Sequence, residues 1–153
     1  IGLITGSFFL GRITVKVFRS HKRTLYLGQG LFALLLLGLT GPAEHLPRWG
    51  LWGLFFAIGL SASSGVAIYA MIREMFPVRI VATALTSLNF FVLLGAASVQ
   101  QLMGFYIESF TRGPAGYPPA AYHGAFLGAL LGLLAAAALF TAARDPGLQG
   151  EHR

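Results

Sequence analysis

Asn89 and Gln100 are eleven residues apart in a long apolar run, almost three turns at 3.6 residues per turn and about 16 Å along a helix axis. They therefore share a helical face with Ala96, while Gln101 points about 100° away. A primary amide carries two donors and an acceptor without charge, so this face is suited to hydrogen-bonding a bound solute. The competing use is a hydrogen bond to a neighbouring helix, worth about 0.6 kcal/mol in membrane proteins. A second small and polar stripe is formed by Ser61, Ser64, Gly65 and Ile68, with Tyr69 beside it. These serines serve helix packing or line a cavity, and Gln29 serves packing or an interface. Nucleophilic catalysis has thinner support. Ser63-Ser64-Gly65 and His123 are the only ingredients for a serine–histidine dyad, and their places in the apolar runs put them roughly 20 Å apart in depth. Proton transfer needs about 3 Å. With no cysteine there is no thiolate metal site and no disulfide frame, and no cofactor or metal is expected.

The elements that carry these residues follow from composition. Of the 153 residues 56% are hydrophobic and 10% charged, and the mean hydropathy is +0.71; a soluble domain is about a quarter charged. Charge-free runs cover Thr24–Ala43, Trp49–Ile72, Ile80–Ile107 and Gly113–Ala143. A spanning helix needs about 20 apolar residues, which predicts four full spans at Leu25–Gly41, Trp49–Ile72, Ala82–Ile107 and Tyr122–Ala143. A shorter apolar stretch, Ile1–Gly11, with its basic extension to about residue 18, reads as the end of a helix that begins upstream. It has neither the basic flank nor the cleavage site of a signal peptide. All seven prolines fall outside the spans, where water satisfies the backbone that proline leaves unpaired. Trp49, Trp52, Tyr106 and Tyr122 sit at span ends, as interfacial aromatics do. No period of two suggests a β-barrel. The expectation is an all-α polytopic transmembrane bundle over residues 1–143, with a polar tail over 144–153.

Glycines at 124, 128 and 132, continued by Ala136, form a small-x-x-x-small ridge for close helix packing. Lys and Arg fall unevenly between alternate loops. Arg12, Lys16, Arg19, Lys22, Arg23, Arg73, Arg79, Arg144 and Arg153 lie on one side, and only Arg48 and Arg112 on the other. By the positive-inside rule the first side is cytoplasmic, and so is the carboxy terminus. The net charge of +6 then needs no nucleic-acid partner; basic residues beside a span set topology and touch anionic lipid.

Two segments carry a family resemblance. Gly11-Arg12-Ile13-Thr14-Val15-Lys16-Val17-Phe18-Arg19 resembles the short basic loop of major facilitator transporters, Gly-Arg-x-x-Asp-Arg-x-Gly-Arg-Arg. Gly11, Arg12, Lys16 and Arg19 match, while Val15 and Phe18 replace the acidic residue and the second glycine. Arg73-Glu74-Met75-Phe76-Pro77, followed by Ala82-Thr83-Ala84-Leu85, resembles the family's loop between helices ten and eleven. There Val81 and Ala82 stand in place of Arg-Gly. The resemblance covers the chain as the end of helix eight through helix twelve. It implies a multi-pass protein of the plasma membrane, the inner membrane in a bacterium, and alternating access, with two six-helix halves rocking about a midplane substrate site. Helices ten and eleven line that cavity in the family, which implies roles for Ser61, Ser64, Tyr69, Asn89 and Gln100. The partners implied are the lipid bilayer, a small solute and the remaining transporter helices. A small accessory or structural membrane protein is the alternative.

Overall fold

The computed structural model describes residues 1–13, 20–114 and 116–142. Lys16, Arg19 and the tail lie outside them, and Gly11 and Arg12 are placed only as the last backbone turn of the first helix. The helices are α1 (Gly2–Ile13), α2 (His21–Gly38), α3 (Arg48–Ala62), α4 (Ala67–Met75), α5 (Val78–Glu108) and α6 (Pro119–Phe140). Single 3₁₀ turns occupy Pro42–His45, between α2 and α3, and Ser63–Val66, between α3 and α4. Among the described residues there is no strand; Gly113 and Gly116 form one isolated bridge in the α5–α6 turn.

Local chemistry explains the starts. The Ser20 hydroxyl accepts the Arg23 backbone N–H at 3.2 Å and caps α2. Helices α3, α5 and α6 follow Pro47, Pro77 and Pro118, all extended; a proline there costs nothing because the first helical N–H groups lack partners anyway. The chain leaves α2 through Gly41, whose φ of +156° a side chain would strain.

Three helical stretches are long and apolar enough to cross a membrane: Arg48–Met75 with 28 residues, Val78–Glu108 with 31 and Pro119–Phe140 with 22. Their lengths are about 42, 46 and 33 Å at 1.5 Å per residue, against a hydrocarbon core of about 30 Å. The expected span at Leu25–Gly41 does not reach this standard. The Ser20 cap draws His21, Lys22 and Arg23 into the helix, and the turn at Leu39–Gly41 ends it early. Only residues 25–38 remain apolar, about 21 Å of helix.

The inside and outside of the bundle are reversed relative to a protein that folds in water. Among the described residues the largest fully buried side chains are Thr24, Ser61 and Ser64, and the buried apolar residues are Leu25, Leu36, Met71, Ala121, Ala125 and Leu130. No residue of α5 is buried. Trp49 is 78% exposed, Trp52 73% and Phe91 66%. Water penalises such surface by roughly 25 cal/mol per Å², and soluble monomers rarely leave large contiguous patches of it; hydrocarbon exacts no such penalty. The chain is a membrane-embedded helical protein.

Helices meet through small residues. A methyl at Gly2 would strike the Phe56 carbonyl, and one at Gly6 the Ser63 hydroxyl and the Leu60 backbone. At Gly59 it would come within 3.1 Å of the Leu3 nitrogen. Thus α1 lies on α3 nearly backbone to backbone. Gly28 likewise brings α2 against Ser64. On α6 only Gly124 makes such an approach, against the Tyr106 ring; Gly128 and Gly132 have nothing within 4 Å. The ridge expected to pack along its length does so within the described residues at one position.

Candidate functional site

The two amides and the tyrosine lie on neighbouring helices, and the structure joins two of the three. Tyr69, on α4, donates its hydroxyl hydrogen to Asn89 Oδ1, on α5, at 3.1 Å. Gln100 lies three turns further along α5, and both amides are exposed, as is Ala96 between them. Beside Asn89, toward the α4–α5 turn, a cleft of about 580 Å³ runs between α4 and α5, with Thr83 and Ser87 among its apolar walls.

Ser61 and Ser64 are elsewhere. Both are buried against α2, away from Tyr69. The 3₁₀ turn at Ser63–Val66 supplies the reason. Its residues advance about 120° each instead of about 100°. Four of them rotate everything beyond by about 80° relative to a continuous α-helix. Ile68 stays on the side of the serines, where it lines a cleft with Leu25, Tyr26 and Gln29 of α2, while Tyr69 is turned toward α5. Ser61 Oγ donates to the Ile58 carbonyl at 3.0 Å and Ser63 Oγ to Leu60 at 2.6 Å. Such bonds to the preceding turn bend a helix. Ser64 Oγ is buried with no hydrogen-bond partner.

Ionisable groups gather at the two ends of the bundle. At the basic end, His21 Nε2 donates to Glu74 Oε1 at 2.9 Å, tying α2 to α4. A carboxylate only accepts, so that ring nitrogen carries the proton; the other, Nδ1, is buried without a partner. Beside it Lys22 Nζ donates to the Thr141 carbonyl at 2.9 Å and stands 5.9 Å above the Phe140 ring, joining α2 to the end of α6. Tyr26 adds a bond to the Ala137 carbonyl at 3.3 Å. Arg73 is exposed next to Glu74, and Pro77 caps α5. At the opposite end His123 Nε2 meets Glu44 Oε1 at 2.8 Å, holding the α2–α3 turn to the start of α6. His123 is thus engaged at the mouth of its helix. No group of three metal-ligating side chains occurs among the described residues.

Comparison with known protein families, with curated proteins and with solved structures gives no match. The arrangement must therefore be argued from its own chemistry. Within the spans most polar groups are uncharged and lie along α5, at Tyr69 of α4 and at the serines of the α3–α4 break, and the charges are held at the ends.

Sequence reasoning did not single out His21, Thr24, Gly28 or the His123–Glu44 pair. For His21 a signal existed, since Ser20 followed by a helical pattern marks a cap and would have placed His21 inside α2. The pairings with Glu74 and Glu44 span 53 and 79 residues, and no local pattern encodes them.

Proposed function

We propose that this chain belongs to a secondary transporter of the major facilitator type, oriented with its basic end in the cytoplasm, and that α4 and α5 contribute to the solute path. One observation carries the reading. On α5, which buries no residue, two amides stand exposed on one face, about 16 Å apart and either side of the helix midpoint. Tyr69 satisfies only the Asn89 Oδ1; a polar group left without a partner in hydrocarbon costs several kcal/mol, so Gln100 and the Asn89 amide nitrogen meet either a polar cavity or another polar helix. The 3₁₀ break within Arg48–Met75 supports a moving element, because a mid-helix 3₁₀ stretch often marks a hinge. The unequal distribution of Lys and Arg supports the orientation.

The test is flux in proteoliposomes through this chain assembled with the remaining transporter helices, screened over labelled sugars, amino acids, organic anions and organic cations. Saturable uptake of one class is expected. For that solute Asn89→Ala and Gln100→Ala should weaken apparent affinity about 5- to 150-fold, corresponding to about 1–3 kcal/mol per lost hydrogen bond, with Gln101→Ala near the parent. No flux for any class, or three variants that all transport like the parent, would overturn the assignment of this face.

A further inference from the structure

We propose that the cleft between α2 and α6 is a binding site for one anionic phospholipid, with an acyl chain in the cleft and the phosphate on Lys22 and Arg23. This rests on membrane embedding and not on the transport reading. The cleft has a volume of about 280 Å³. Its walls include Leu25, Tyr26 and Gln29 from α2, and Leu133, Ala137 and Phe140 from α6. On α6 these residues recur at i, i+4 and i+7, so the cleft follows the helix axis for about 10 Å. The Tyr26 hydroxyl, one of its few polar groups, is turned to the Ala137 carbonyl. What remains is a hydrocarbon-lined furrow, suited to an alkyl chain and not to a polar solute.

Charge fixes the occupant's other end. Lys22 stands over Phe140, at the basic end of the furrow. Arg23 is exposed and lies one helical turn before Tyr26. An ammonium has three donors and a guanidinium five. Arg23 is the residue that can engage a phosphate in bidentate fashion, and Lys22, already engaged, adds its positive charge beside it. Basic residues at the edge of a cleft between helices, at headgroup depth, are the arrangement that recognises anionic headgroups. The two features are contiguous, as the two ends of one lipid are.

The experiment uses the protein in nanodiscs containing trace phospholipid with a photoreactive acyl chain, carrying either a phosphatidylglycerol or a phosphatidylcholine headgroup. After irradiation, labelled peptides are mapped by mass spectrometry. Labelling by the phosphatidylglycerol probe should concentrate on residues 25–29 and 133–140. Each basic side chain near the headgroup is worth about a 5-fold gain in affinity, so the preference over phosphatidylcholine should reach roughly 30-fold. It should fall to near parity in Lys22→Gln/Arg23→Gln. Ala137→Phe, which fills the furrow without touching the charges, should abolish cleft labelling by both probes while labelling elsewhere on the helices persists. Equal labelling by the two probes in the parent would mean ordinary surrounding lipid. Absence of label from the cleft, with label on exposed α5, would mean that protein covers it. Either result overturns the proposal.

Discussion

Replacing Gly28 by alanine adds one methyl at the most crowded point between α2 and the 3₁₀ turn. That methyl would overlap both the Cβ and the hydroxyl of Ser64. Ser64 is 1% exposed and cannot turn away, since neighbouring Ser61 and Ser63 are almost equally enclosed. The helices must separate or the turn must shift, and overpacking of this kind costs about 1–3 kcal/mol. At roughly 2–4 °C per kcal/mol for a chain of this size, Gly28→Ala should lower Tm by about 2–12 °C. Ser64→Gly removes the group that is struck. It also relieves a buried hydroxyl without a partner, a gain of about 1–3 kcal/mol, against about 0.5–1 kcal/mol for glycine in a helix. Alone, it should be near neutral or mildly stabilising. In Gly28→Ala/Ser64→Gly the new methyl occupies the vacated space, so the pair should recover most of the loss. Thermal unfolding of the four proteins in mild detergent, followed by Trp49 and Trp52 fluorescence, gives the coupling energy. Contacting residues couple by about 0.5–3 kcal/mol, and independent ones add within about 0.5. Additive losses would refute the direct contact of Gly28 with Ser64.

Three further outcomes are expected. Glu74→Ala leaves the buried His21 ring without any partner, which should cost about 1–3 kcal/mol in thermal stability, while Glu74→Gln, which keeps an acceptor, should cost less. Gly128→Ala and Gly132→Ala enter open space and should raise stability by up to about 1 kcal/mol each through helix propensity; a loss of stability, measured in the same melts, would place another surface against that face. For sidedness, a cysteine at Val78, 90% exposed at the basic end, should resist an impermeant thiol reagent in intact cells and react once they are opened. One at Thr111, exposed in the α5–α6 turn, should react in intact cells; reversed labelling would overturn the proposed orientation.

The helical architecture was legible because charge-free runs and interfacial aromatics are local signals. Boundaries shifted where capping overrode hydropathy: Ser20 began α2 before its charges ended, and Pro118–Pro119 began α6 three residues before Tyr122. Regular periodicity failed at Ser63–Val66, where hydroxyls bonded to the preceding turn accompany an over-wound segment. That one departure separated Ser61 and Ser64 from Tyr69. The close glycine contacts were half legible. The spacing of Gly2 and Gly6 is the same small-x-x-x-small signal seen at Gly124 and Gly128, but spacing does not say which ridge has a partner. In the described residues the first ridge meets α3 and the second faces open space over most of its length.

The hydroxyl-rich interior has a calorimetric consequence. Heat capacity rises on unfolding chiefly because apolar surface enters water, by about 0.45 cal/K/mol for each Å². Here the large apolar side chains, among them Trp49, Phe91 and Leu139, already face outward. If the helices separate within a bilayer, those side chains touch hydrocarbon before and after, and the few buried apolar ones, such as Leu25, Met71 and Leu130, pass into hydrocarbon and not into water. The stability curve should then be nearly straight in temperature, without the dome of water-folded domains or a cold-denatured state at its lower end.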